Sequence, residues 1–297
     1  MIEQPTILQR LRRFAARPTA DKIQTLKLRL RRIFPKAPVP RQLPLGIWFL
    51  VGESHVDAAL LNDTFESAEI NFVQRYLKPG MIALDIGAHH GLYTLLASKR
   101  VGARGKVVAF EPSPRERKQL SRNVRLNACS NVRIQPFALG SKRSRTDLHL
   151  VEGGEDGCNS LRPPVVNSQT RPVSVDVYRF DDVAPKLRLT GVDFVKLDVE
   201  GAELDVLNGA PELLKAIPRP VLLVEVYDIR TEPWGYKARE IVQFLYHCGY
   251  EWFQLRQDGT LISVLADLDL YDSNLVAIPK ERVVEVLRSM EPEVPNV

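Results

Sequence analysis

Cysteine is scarce in this sequence. Cys129, Cys158 and Cys248 are the only three in 297 residues, and no two form a C-x-x-C pair. An odd number at wide spacing excludes a zinc ribbon and a disulfide scaffold, and suits reduced thiols used for packing in a cytosolic chain. Long apolar runs are also missing: the longest, at residues 45–51, is far below the ~20 residues of a membrane span. The N-terminus has no uninterrupted apolar stretch before a small-residue cleavage site, which argues against a secretory signal. Internal repeats and low-complexity segments are absent as well. The expected location is therefore cytoplasmic.

What is present is the composition of an ordinary globular protein, 44% hydrophobic and 26% charged. That leaves ample material for one α/β core of roughly 200–250 residues plus an additional segment. Charge divides the chain. Residues 1–45 hold eleven Lys/Arg against Glu3 and Asp21, a net +9, so the other 252 residues carry −4. The basic pI of about 9.1 thus belongs to an arm, and a nucleic-acid-binding body is not implied.

The arm carries two helical patterns. Ile7, Leu8, Leu11, Phe14 and Ala15 share one face, and Ile23, Leu26, Leu30, Ile33 and Phe34 form a second stripe amid Lys27, Arg29, Arg31 and Arg32. Pro35, Pro38, Pro40 and Pro44 mark a linker. Such basic amphipathic segments suit peripheral contact with an anionic membrane or an acidic partner, resemble an organellar transit peptide, or pack on the body with solvated charges. Residues 46–297 form the second unit.

From residue 46 onward, strand and helix signals alternate. Strands are expected at 46–51, 82–86, 107–110, 132–137, 146–151, 173–178, 194–199, 221–226, 252–255 and 275–278. Helices are expected at 62–77, 92–100, 114–126, 202–207 and 236–248. This βαβ rhythm predicts a mostly parallel sheet covered by helices on both faces. Gly, Pro, Asn and Ser accumulate between residues 152 and 171, as in a mobile loop or lid.

Three strand ends carry chemistry. In the first, Ala83-Leu84-Asp85-Ile86-Gly87-Ala88-His89-His90-Gly91 runs an apolar strand into a glycine turn and then a helix. Gly87 lets backbone pass close to a ligand, Gly91 allows tight helix–strand packing, and the new helix presents free N–H groups. The spacing is G-x-x-x-G rather than the G-x-G-x-x-G of a pyrophosphate site. In the second, Glu111 follows the strand Val107-Val108-Ala109-Phe110. It is placed to accept two ribose hydroxyls, or else to begin the next helix. The third is Phe194-Val195-Lys196-Leu197-Asp198-Val199-Glu200, whose alternation puts Lys196, Asp198 and Glu200 on one side of an apolar strand. Charges there are costly unless paired or functional. A Lys196–Asp198 structural pair, with Glu203 starting a helix, is the alternative.

Taken with Asn123-Val124-Arg125-Leu126-Asn127, Phe137-Ala138-Leu139-Gly140, L-L-V-E-V at 222–226 and N-L-V-A-I-P at 274–279, these runs resemble the FkbM family of S-adenosylmethionine-dependent methyltransferases over residues 60–280. The resemblance implies a class I, Rossmann-like fold with a seven-stranded, mostly parallel sheet. It implies O-methylation of a hydroxyl on a sugar, glycan or secondary metabolite. It also implies that Asp85, Gly87, Ala88, His89 and Gly91 shape the methionine pocket of S-adenosyl-L-methionine, with Tyr93 closing it. Glu111 would bind ribose, and Ala138 with Leu139 would line the adenine site. His89 departs from the family's usual Asn. His89 and His90 are not expected to bind a metal, because adjacent side chains diverge and no third ligand is spaced for them.

Methyl transfer is mostly alignment, and a neutral aliphatic hydroxyl gains from a base that takes its proton. Asp198 or Glu200 is the expected base, Lys196 orients them, and Glu225 is a second-rank candidate. The acceptor is expected to be read by the 152–171 loop, by the 228–236 segment with Asp228, Arg230, Trp234 and Tyr236, and by the helix at 62–77. Two alternatives remain. In one, Asp198 with Glu200 or Glu225 holds a divalent cation, as in catechol-type methyltransferases. In the other, the protein is a non-catalytic cofactor-binding scaffold recruited by its arm. No nucleic-acid partner is expected, since the body is acidic and lacks interleaved aromatic and basic residues.

Overall fold

The computed structural model describes residues 38–43, 46–52, 56, 59–60, 65–264 and 268–290. The two basic helices expected at residues 7–34 lie outside these. In chain order the elements begin with β1 (Val39–Gln42), β2 (Trp48–Val51), α1 (Ser67–Tyr76), β3 (Ile82–Ile86), α2 (Leu92–Val101), β4 (Lys106–Phe110), α3 (Pro114–Leu126) and β5 (Val132–Gln135). There follow β6 (Ala138–Leu139), β7 (Ser144–Val151), β8 (Thr170–Tyr178), α4 (Phe180–Leu187), β9 (Phe194–Leu197), α5 (Glu203–Asn208) and α6 (Pro211–Lys215). The chain continues through β10 (Val221–Tyr227), α7 (Asp228–Thr231), α8 (Arg239–His247), β11 (Tyr250–Leu255), β12 (Leu261–Ser263), β13 (Asp272–Pro279) and α9 (Val283–Met290).

The main sheet has the order β12-β11-β13-β10-β9-β3-β4-β5. β10, β9, β3, β4 and β5 are parallel, and β13 runs antiparallel between β10 and β11. This is the expected mostly parallel class I sheet, with one correction. An eighth strand, β12, hairpins onto β11 at the edge; three residues after a Gly259 turn are too short to signal themselves by periodicity. The expected strands at 146–151 and 173–178 lie outside this sheet, forming a three-stranded one in the order β6-β8-β7.

Period-two alternation divides each central strand between two cores. Leu84, Ile86, Val108, Phe110, Val195, Leu197, Leu222 and Val224 face Phe180, Val183, Ile241, Val242 and Leu245 of α4 and α8. Ala83, Val107, Phe194, Val221 and Leu223 face Phe72, Val73, Leu95, Leu96 and Val286 of α1, α2 and α9. Full burial of each large side chain contributes about 1.5–3 kcal/mol. Strands apolar on both faces are thus what a helix-covered parallel sheet requires.

Several boundaries differ from expectation by a few residues. Residues 39–42, expected in the Pro-rich linker, form β1 and pair antiparallel with β2, while Leu43 and Ile47 are buried. Pro40 is tolerated because β1 has β2 on one side only, and an edge strand needs no outward donor. The third motif's strand ends at Leu197. Glu200 has φ +55° and Gly201 φ +98°, so Glu200 leaves the strand register that Lys196 keeps.

Candidate active site

The order in which strands are added reverses between the parallel neighbours β3 and β9, and at such a switch point the carboxyl ends of open α/β sheets leave a crevice. Here it is a cavity of about 350 Å³, and its lining includes the ends of β3, β4, β9 and β10. Every expected site residue, Asp85, Gly87, Ala88, His89, Gly91, Tyr93, Glu111, Ala138, Leu139, Lys196, Asp198 and Glu200, lines it.

The turn after β3 is built on backbone freedom. Gly87 has φ +91°, and a Cβ there would stand 1.7 Å from the Asp198 carbonyl oxygen. Gly91, also at φ +91°, would drive a Cβ to 2.3 Å from Leu120 Cδ1. Both positions therefore exclude any side chain. Asp85 is buried and accepts a 2.5 Å bond from Thr94 Oγ1. Burial pushes its pKa up to about 6, against the pull of that hydroxyl. Glu111 accepts from His89 N–H at 2.7 Å and Ser113 N–H at 2.8 Å, one on each carboxylate oxygen. Burial, with Glu116 nearby, still raises its pKa to about 8. Ser113 caps α3 and its hydroxyl bonds Glu116, so the helix-start role falls to Ser113 and leaves Glu111 facing the cavity.

His89 adopts φ +47°, and this folds its ring onto that of His90, with centroids 3.9 Å apart. The expected divergence of the two rings is thus corrected by the left-handed turn. Tertiary structure also supplies the third group that spacing did not reveal: Glu116 comes within 4.8 Å of both rings' nitrogens. Glu116 is already engaged by Arg115 and Ser113. Burial, then His90, holds the His89 pKa well below its usual value, so the ring is neutral.

On the other side of the cavity, charge is concentrated. Lys196 is 2% exposed. Its Nζ donates at 3.0 Å to Asp198 Oδ2 and at 3.0 Å to Asn274 Oδ1, and lies 5.2 Å above the Tyr93 ring. Burial lowers the pKa of Lys196, but Asp198, Glu66 and Glu225 outweigh it and the net shift is upward. Asn274 in turn donates to Glu69 Oε1 at 3.2 Å and Glu66 Oε1 at 3.5 Å, and the Tyr93 hydroxyl bonds Glu66. Glu200 contacts Arg230 Nε at 2.9 Å; burial still lifts its pKa to about 8. Glu225 Oε2 is buried without a hydrogen-bond partner, and burial followed by the charge of Asp198 raises its pKa well above the ordinary range. One carboxylate oxygen from each of Asp198, Glu200 and Glu225 lies within 4.8 Å of the others.

Glu203 does not reach the cavity's lining. It accepts from Val199 N–H at 2.9 Å and Gly201 N–H at 3.3 Å, and so ties the turn to α5. The Gly-rich segment after β7 lies against the cavity through Gly157, Cys158, Asn159 and Leu161. Ser160 Oγ donates to Glu200 O at 2.7 Å, and Arg230 Nη2 reaches Cys158 Sγ at 3.3 Å. Of the four residues expected to read an acceptor, only Arg230 lines the cavity. Asp228 instead accepts from Ala238 and Tyr271 N–H, and Tyr236 donates to Gly201 O. Trp234 packs on Gly201, where a Cβ would meet its Cδ1 at 2.7 Å. Glu66 lies in the 62–77 segment expected to read the acceptor and lines the cavity, whereas Tyr227 and Asn274 were missed as site residues. A polar residue directly before the apolar run Leu275–Ile278 was the available signal for Asn274.

The methyltransferase FkbM domain profile matches residues 85–252, more than half the chain and all three motif-bearing strand ends. The chain belongs to the FkbM methyltransferase family. Among curated relatives, the AMB antimetabolite synthetase AmbE of Pseudomonas aeruginosa is 27% identical over 220 residues, covering 62% of this chain and 10% of that protein. Methyltransferase 1 of Beauveria bassiana is 31% identical, covering 42% and 57%. The 2-O-methyltransferase NoeI of Sinorhizobium fredii is 28% identical, covering 46% and 60%. The chain thus spans from a tenth to six-tenths of the length of these relatives. Among the described residues, no helix of this FkbM protein is long and apolar enough to cross a membrane.

Proposed function

We propose that this protein is an S-adenosylmethionine-dependent O-methyltransferase acting on a hydroxyl of a small-molecule or glycan acceptor. One observation carries the reading. A glycine-cradled turn, the backbone-bonded carboxylate of Glu111 and the Lys196–Asp198 pair face one cavity at the sheet's switch point. Family membership and the relative NoeI, a 2-O-methyltransferase by name, support it.

The residues fit the cofactor. Side chains at Gly87 and Gly91 would fill the cradle, and Glu111 uses one lone pair per oxygen on backbone N–H groups, leaving the others for ribose hydroxyls. Asp85 would face the methionine moiety, while Ala138 and Leu139 would flank adenine. When bound, S-adenosylmethionine supplies an electrophilic methyl group on a sulfonium. The chain's own contribution is to align the acceptor oxygen and remove its proton. Asp198, about a quarter exposed, would take the acceptor hydroxyl's proton on a carboxylate oxygen. Lys196 holds Asp198 in place through the 3.0 Å bond that its Nζ donates. Arg230 holds Glu200 to the rim of the same cavity.

A second reading has its own observation, the three carboxylates of Asp198, Glu200 and Glu225 converging with a buried, unpartnered Glu225 oxygen. That set suits a hard divalent cation, which would acidify the acceptor hydroxyl. Transfer of labelled methyl from the cofactor to a panel of glycans and metabolites, with and without chelator, tests both. Turnover insensitive to chelator and lost in Asp198→Asn supports base catalysis. Chelator-sensitive turnover rescued by Mg²⁺ supports the cation. Cofactor binding with no turnover on any acceptor would favour the scaffold.

A further inference from the structure

Charge within the folded domain is uneven in a way the overall −4 conceals. Residues 99–145 contain thirteen Lys/Arg against two acids, Glu111 and Glu116, and both acids are buried. Five of the thirteen lie on α3. The buried side of that helix is Glu116, Gln119, Leu120 and Asn123. At 100° per residue, Lys118, Arg122 and Arg125 fall together on the opposite stripe, and all three are exposed. Glu116 is the helix's one acid, so the stripe has no carboxylate of its own.

The β1–β2 hairpin extends this face. Leu50 N–H donates to Asn123 Oδ1 at 2.9 Å, and Trp48 N–H to Asn127 Oδ1 at 2.8 Å. These bonds lay β2 along α3 and place Trp48, 44% exposed, at the helix's C-terminal end, where Leu126 is 40% exposed. Lys99 Nζ donates to Gly46 O at 3.0 Å in the hairpin turn, which adds a cation at the same end. The preceding polypeptide enters through β1, and residues 1–37 carry ten Lys/Arg against two acids.

We propose that the outer face of α3, together with Trp48 and Leu126, is a docking surface for an anionic lipid bilayer. Lys118, Arg122 and Arg125 meet acidic headgroups, while the indole and the leucine sit at the headgroup–acyl boundary favoured by such side chains. A nucleic acid asks for aromatic rings among the cations, on which bases can stack. Here the aromatic and aliphatic residues cluster at one end. The apolar stripes in the arm's sequence pattern suit lipid in the same way. The proposal is independent of the reaction and of its acceptor.

The test uses the full chain and co-sedimentation with phosphatidylserine-containing or pure phosphatidylcholine vesicles. Binding is expected only to the acidic vesicles and weakens with salt. Each basic residue near an anionic surface contributes about fivefold. Lys118→Glu/Arg122→Glu/Arg125→Glu should therefore lower the partition roughly a hundredfold, and Trp48→Ala should lower it further at high salt, with thermal melting unchanged. If the charge-reversed protein melts early, the Ala triple variant replaces it. Undiminished binding by the folded triple variant would overturn the proposal and assign attachment to the arm alone. So would an RNA oligonucleotide that displaces vesicles and whose own binding fails in the triple variant.

Discussion

The two sides of the cavity are held together by different physics. On the side of the β3 turn, carboxylates are fixed by backbone: Glu111 by the His89 and Ser113 N–H groups, the turn by glycines that admit no Cβ. On the side of β9 and β10, side chains hold one another: Lys196 by Asp198 and Asn274, Glu200 by Arg230, Asn274 by Glu66 and Glu69. A backbone-held site tolerates side-chain change except where space is absent. A side-chain-held site propagates every substitution through its partners, because low local dielectric makes an orphaned charge costly.

The sharpest way to break this contrast is Gly87→Ala. Its Cβ would collide with the adjoining Asp198 carbonyl at a positive φ. The expected result is loss of cofactor binding by calorimetry and destabilisation of about 3 kcal/mol or more. Asp198→Asn comes next. Turnover should fall about 10²–10⁴-fold on any acceptor found, with cofactor affinity nearly unchanged, and single-turnover methyl transfer would read this. Asn274→Ala should lower turnover roughly tenfold by freeing the Lys196 ammonium from one of its two polar partners. The loss should fall on kcat rather than on the KM for cofactor, a split that mere loosening of β13 would not produce.

Glu111 gives a pH test on the backbone-held side. Its folded pKa of about 8 lies above the ordinary value of 4.5. Between those values the folded carboxyl keeps a proton that the unfolded chain releases, so ligand-free stability should fall as pH rises through this window. Ribose hydroxyls need an ionised acceptor, so cofactor binding near pH 7 should release a proton. Calorimetry in buffers of different ionisation enthalpy would measure it, and Glu111→Gln should abolish it. The smallest effect is expected of His89→Asn. The bond to Glu111 comes from the backbone N–H, and Asn accepts the left-handed turn more readily than most residues. Cofactor affinity should change less than about threefold, a few tenths of a kcal/mol to either side.

Legibility followed the same division. The glycine turn, Glu111 and the Lys196–Asp198 spacing were readable because strand alternation and turn chemistry are local. Asn274 was quoted within a motif yet received no role, since its importance arises from the bond it accepts from Lys196, 78 residues away in sequence, once β13 pairs beside β10. Glu66 lies 130 residues from Lys196 in sequence. The stacking of His89 on His90 depended on a φ that the dipeptide does not announce. β1 was hidden by Pro40, which is a poor strand former everywhere except at an edge.

By itself, the sequence determined the mostly parallel sheet, the strand ends that bear chemistry and the concentration of positive charge in residues 1–45. These follow from periodicity, glycine and charge, all of them short-range properties. Only the tertiary structure decided which carboxylates share a cavity, that Asn274 and Glu66 complete the network around Lys196, and that the domain has a basic face of its own beside the hairpin. Each of those depends on distant segments meeting, and burial of apolar strands, rather than any polar pattern, is what brings them together.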